Sequence, residues 1–175
     1  AAAATSIVSG AVAERACMGA YFGYAAVLTS FVYPVVVHWV WASAGIFSAF
    51  GSSPLLNVGA VDFAGSGVVH LTGGVAAFFG ALFLGARTGR FTEAGAKDLP
   101  KHSATMQCLG TFLLWIGWYG FNCGSTLGIA GSGLLAGKVA ITTTLSAACG
   151  ASSALIIGYI QTGAYDLGCV MNGVL

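Results

Sequence analysis

The chain has 175 residues, 57% of them hydrophobic and only 6% charged, with a mean hydropathy of +0.88. A water-soluble domain carries about a quarter charged residues, so most of this surface has lipid as its solvent. The net charge of +1 offers no basic face to nucleic acid, and that partner is excluded.

In lipid every backbone N–H and C=O must pair inside its own helix or in a closed barrel. The apolar runs are too long for barrel strands, so the fold class is all-α, a polytopic transmembrane helix bundle. A spanning helix needs about 20 apolar residues to cross about 30 Å of hydrocarbon.

Residues 1–13 are too short for that and read as the tail of a span, closed by Glu14 and Arg15. The opening AAAATSIVSGAVAER has neither a starting methionine nor a basic n-region, so it does not read as a signal peptide. Whole spans are expected at 21–42, 64–84, 103–123 and 139–160, and 167–175 opens another. Both ends thus lie inside apolar segments, and the chain reads as a fragment of a longer membrane protein.

The linker 86–102, ARTGRFTEAGAKDLPKH, holds Arg87, Arg90, Lys97 and Lys101. With alternating spans it shares a side with Arg15, which the positive-inside rule makes cytoplasmic. The connections 43–62 and 124–137 are then external, with only Lys138 near that face.

Cys17, Cys108, Cys123, Cys149 and Cys169 form no CxxC pair and no Cys/His cluster. They read as small buried hydrophobes, and neither a metal site nor a cofactor is expected. Gly73, Ala77, Ala81 and Gly85 recur every four residues, a stripe of small side chains that lets helices approach closely in lipid.

The external ends carry the chemistry. Trp41 closes the second segment, Asp62 heads the third, and Phe121 and Ser125 end the fourth. Most polar and aromatic groups have a plain role. Trp39, Trp41, Trp115, Trp118 and Tyr119, each taken singly, suit an interfacial belt or a lipid-facing position, His38 a solvated boundary and His102 the charged linker. Asp62 suits the cap of the helix that follows it.

His70 is different. It follows Asp62 by eight residues, about 12 Å along a helix, which places it inside the span. Ionisable groups there face a bundle interior or a pathway rather than lipid. A neutral imidazole has one donor and one acceptor, which suits passing a small polar molecule or relaying a proton. Aromatic faces and a hydroxyl above such a histidine suit a small cation, attracted to an indole by about 1–2 kcal/mol. A metal-ion channel would need a ring of carboxylates or carbonyls, and Asp62 stands alone at this mouth.

SGAVAER, FVYPVVVHWVW, GAVDFAGSGVVHLTGG, GTFLLWIGWYGFNCGS and CVMNGVL, in this order, resemble the ammonium transporter family of Amt, Mep and Rh proteins. GAVAER and DFAGSGVVH are closer to the Amt branch. The resemblance implies an eleven-helix inverted-repeat fold with a pore through each protomer of a homotrimer or heterotrimer. The chain would then run from the end of the third helix to the start of the eighth.

It also implies that Trp41 and Ser125 bind external ammonium and that Phe121 is one of two gating phenylalanines. His70 becomes the first of two pore histidines, and Asp62 the acid that orders the vestibule backbone. The other phenylalanine, the second histidine and the carboxy-terminal segment lie outside the chain.

The expected function is therefore ammonium transport across the plasma membrane, with methylammonium as an analogue and the lipid bilayer as solvent. A membrane ammonium sensor using the same site is the alternative. An enzyme with His70 as general base is disfavoured, because none of the five acids lies inside a span.

Overall fold

A computed structural model describes residues 1–97, 99–128 and 130–175; Asp98 of the linker and Ile129 of the 124–137 connection lie outside the described residues. The chain divides into two compact units, Ala1–Leu99 and Pro100–Leu175. Each is described by itself.

The first unit opens with α1 (Ala2–Val12) and α2 (Met18–Val27). The latter continues through a π turn, Leu28–Val32, into α3 (Tyr33–Trp41). Proline explains the interruption. Pro34 has no N–H to donate, and its ring crowds the carbonyl four residues back. A π turn just ahead of it opens the ladder enough to carry the helix on. Thr29 and Ser30 donate their hydroxyls to Ala25 O (2.7 Å) and Ala26 O (2.6 Å), which gives these carbonyls a further partner.

Residues 43–62 close on themselves. Phe47 N donates to Trp39 O (2.9 Å), Ala60 N to Phe47 O (2.7 Å) and Leu55 N to Ile46 O (2.8 Å). Ser48 is fully buried at the centre of this fold, and its Oγ accepts from Phe50 N at 3.3 Å. These bonds pair part of the connection's backbone and return the chain to the end of α3. A second π turn, Ser66–Leu71, then leads into α4 (Thr72–Leu84).

α1 packs against α4 around Val8 and Val12, joined by Leu28 and flanked by Ala11, Ala16, Tyr24 and Ala76. A Cβ on Gly73 would stand 2.8 Å from Ala4 O and 2.9 Å from Ile7 Cβ, and one on Gly80 3.0 Å from Val12 Cγ1. The close face of α4 thus runs through Gly73, Ala76 and Gly80, not through the strict four-residue stripe expected from sequence. A helix turns once per 3.6 residues, so a repeat of four drifts about 40° per step off any straight contact.

Arg15 Nη1 donates to Gly85 O (2.9 Å) and to Ala81 O (3.4 Å), which also accepts from Gly85 N, so a cation sits on the carbonyls at the end of α4. Arg87 pairs with Glu14 nearby. The linker continues into a short antiparallel hairpin, β1 (Phe91–Thr92) against β2 (Gly95–Ala96), with Arg90 donating to Lys97 O.

The second unit holds α5 (Ala104–Trp118), the π turn Tyr119–Cys123, α6 (Gly133–Thr162) and α7 (Leu167–Val174). Ser103 caps α5 by accepting from Met106 N (3.2 Å), and Asp166 caps α7 by accepting from Gly168 N (2.9 Å). Asp166 also takes Lys101 Nζ at 3.0 Å. α6 and α7 touch at glycines: a Cβ on Gly150 would run into Gly173 O, and one on Gly173 would stand 2.5 Å from Ala154 Cβ. Backbone-to-backbone approach of this kind is how helices associate where lipid removes the hydrophobic drive.

Among the described residues, three helices are long and apolar enough to cross a membrane: Met18–Trp41, Ser66–Leu84 and Gly133–Thr162. The last has 30 residues, about 45 Å at 1.5 Å per residue, so it must tilt or project beyond the hydrocarbon. Within 104–123, the helix and its π turn form one continuous rod.

Candidate functional site

Three of the five residues singled out from the sequence lie in the first unit. Asp62 sits three residues ahead of Gly65, the residue that caps the π turn. Its carboxylate accepts from the amides of Gly65 (2.5 Å), Gly67 (2.9 Å) and Val68 (2.7 Å). These are donors that a helix start leaves without intrahelical partners, and a carboxylate meets them with both charge and lone pairs.

The backbone reaches this geometry because Gly65 adopts φ 95°, a left-handed conformation that L side chains rarely take. Space forbids a side chain there as well, since a Cβ would lie 2.6 Å from Val69 Cγ2.

Trp41 belongs to the same cluster. Its Nε1 donates to the Asp62 main-chain oxygen at 2.7 Å. Its outer ring edge lies beside Gly65, where a Cβ would be 3.6 Å from Cη2. The indole is therefore fixed by its one donor, and it remains 38% exposed. Trp39, two residues earlier, packs edge-on against Phe47, with ring centroids 6.2 Å apart.

His70 stands near the end of the π turn, with its side chain exposed on this unit. Its amide and that of Val69 both donate to Gly65 O at 2.9 Å, the shared acceptor that widens the turn. Its neighbours Val68 and Val69 are buried.

The other two residues lie in the second unit. Phe121 occupies the middle of the π turn Tyr119–Cys123. Ser125 follows one turn on, and its hydroxyl donates to Phe121 O at 2.8 Å. With its proton committed, the serine oxygen has lone pairs left to accept from a ligand. His70 and Phe121 thus both ride on π turns, segments that are rare in proteins and frequent at functional sites.

Sequence reasoning missed the hydrogen bonds made by the residues on either side of Phe121. Trp115 and Tyr119 were assigned to an interfacial belt, yet both are drawn into hydrogen bonds. Trp115 Nε1 donates to Tyr119 Oη (3.2 Å), which lies 2.6 Å from Thr144 Oγ1. Asn122 Nδ2 donates to Thr143 Oγ1 at 3.1 Å. The available signal was ITTTLS, a threonine run inside an apolar span, together with the asparagine of GWYGFNCGS.

Comparison with known proteins agrees with the motifs. The model of the Ammonium Transporter Family matches residues 1–175. Ammonium transporter 1 member 1 of Oryza sativa subsp. japonica is 50% identical, the alignment covering 99% of this chain and 37% of that protein. Ammonium transporter 1 member 2 of the same plant is 47% identical over 99% of this chain and 38% of its own length. Ammonium transporter 1 member 1 of Solanum lycopersicum is 45% identical, with the same two coverages.

The chain spans just over a third of the length of these relatives. No solved structure gives a significant match. With five motifs in order and a family match along its whole length, this chain belongs to the ammonium transporter family, on the Amt branch.

Proposed function

We propose that this chain forms part of the conducting path of a plasma-membrane ammonium transporter. The observation that carries the substrate is the similarity, along 99% of the chain, to proteins named as ammonium transporters. The local geometry supports how that substrate is handled.

Ammonium meets the exposed face of Trp41, whose N–H is occupied by the Asp62 carbonyl. An indole face attracts such a cation by about 0.5–2 kcal/mol, more as water is removed. Ser125, its proton directed at Phe121 O, offers an oxygen to an ammonium N–H. The cation cannot go further intact, because transferring a bare ammonium-sized ion into a low-dielectric interior costs several kcal/mol even after relaxation. It gives up a proton to water of the external mouth near Phe121, and neutral ammonia crosses past His70. Asp62 keeps the Trp41 end in shape through its three amide contacts.

The linker 86–102 is cytoplasmic and the connections 43–62 and 124–137 external in this reading. The working assembly is a homotrimer or a heterotrimer of related subunits.

Methylammonium uptake and ammonium currents of the full-length protein containing residues 1–175 provide the test. Trp41→Leu raises the apparent KM, and His70→Ala changes the maximal rate or the selectivity. If both variants keep normal uptake and selectivity at normal abundance in the membrane, the assignment is wrong.

A further inference from the structure

The π turn that carries Phe121 is tied to α6 from both sides. Tyr119, two residues before Phe121, reaches Thr144, and Asn122, the residue after it, reaches Thr143. The direction of the first chain follows from its last member. Thr144 spends its own proton on Ala140 O at 2.9 Å, so Tyr119 must donate to it. Tyr119 in turn accepts from Trp115 Nε1. The protons therefore run one way, from indole to phenol to threonine to carbonyl, an arrangement in which each bond polarises the next.

The second tie is separate. Thr143 and Thr144 are successive residues, turned about 100° apart on the helix, and they serve different residues of the π turn. Thr142, the third of the run, donates to Lys138 O (3.2 Å) and Val139 O (3.0 Å) and is exposed.

We infer that Tyr119, Asn122, Thr143 and Thr144 form a two-point clamp that positions the ammonium site. The role rests on the proposed function of Phe121 and Ser125. The turn's own Tyr119 and Asn122 bond to Thr144 and Thr143 of α6, so the shape of this π turn is tied to the neighbouring helix. Fixing residues 119 and 122 fixes the Phe121 backbone between them. The Phe121 carbonyl then sets where the Ser125 hydroxyl stands and which way its oxygen faces. None of the four clamp residues has to touch ammonium. They act through Phe121 and Ser125, so they are positioning residues.

The test uses the full-length protein containing residues 1–175, with ammonium currents normalised to surface-labelled protein. Thr144→Val and Thr143→Val keep side-chain shape and lose the hydroxyl. Each raises the apparent KM about three- to ten-fold, the range of an interhelical hydrogen bond in a membrane. Maximal rate changes less than KM, and Thr144→Ser and Thr143→Ser restore the original value. Tyr119→Phe breaks the Thr144 bond from the other side and also leaves Trp115 Nε1 without its acceptor, so combined with Thr144→Val it is no worse than Tyr119→Phe alone.

Thr142→Val leaves KM unchanged. Wild-type KM in both valine variants overturns the clamp, as does an equal effect from Thr142→Val. If Thr144→Val does not reach the membrane, wild-type KM in Tyr119→Phe overturns the Thr144 tie. Ser125→Ala separates the two levels of the argument. If it too leaves KM unchanged, the ammonium site itself is wrong; if it alone raises KM, only the clamp is.

Discussion

Two aspartates show how one residue type acquires different roles from its surroundings. Asp62 turns its carboxylate inward on three amides and leaves its main-chain oxygen for Trp41. Its position ahead of an apolar segment made a capping role legible in sequence. The left-handed turn at Gly65, which brings three amides to a single carboxylate, was not. Asp166 faces outward instead.

Lys101 beside Asp166, then the Gly168 amide, hold its carboxyl below the ordinary value of 3.8. The sign follows directly. A depressed folded-state value contributes stability above the unfolded value, and that contribution is lost as pH falls through the depressed one. Carbon-13 titration of the Asp166 carboxyl is expected to find its midpoint below 3.8, moving upward in Lys101→Met. An identical midpoint in the variant would remove Lys101 as the cause. Both side chains are more than half exposed, so added salt weakens the pair.

Elements follow from composition more readily than their contacts do. Apolar segments of helical length were visible at once, while the three π turns were not, although Pro34 marks one of them. A π turn adds a residue to one helical turn and rotates everything beyond it, so it is specified by what surrounds it. The small-residue stripe is a similar case. Its presence was legible, but the face that meets α1 runs through Gly73, Ala76 and Gly80.

Two adjacent glycines separate packing from helix propensity. Gly73→Ala pushes a methyl against Ala4 and Ile7 and is expected to destabilise by about 1–3 kcal/mol, the usual range for overpacking. Gly74 has nothing within 4 Å of its position for a Cβ, so Gly74→Ala is neutral or slightly stabilising. Thermal unfolding of the two purified variants in detergent measures the difference, and equal midpoints would refute this packing.

At the scale of the molecule, few charges and long helices put the chain in lipid, and the basic residues suggest which way round it sits. Four of six cations fall in the linker 86–102, and Arg15 serves the end of α4 through the carbonyls of Ala81 and Gly85. Cysteines introduced at positions 90 and 55 are expected to react with an impermeant reagent from opposite sides, position 55 from outside. Labelling of both from the same side would overturn the orientation.

Sequence by itself determined the solvent, the helical class and the family. Each depends on local chemistry: a span must be apolar, lipid forces its backbone to pair internally, and motifs can be read without knowing what they touch. Tertiary structure alone decided that the Trp41 indole meets the Asp62 carbonyl, which face of α4 meets α1, and that two of three successive threonines bond to the turn bearing Phe121. Those outcomes depend on groups far apart in the chain arriving within a hydrogen bond or a van der Waals radius. No pattern along one strand of text encodes that meeting.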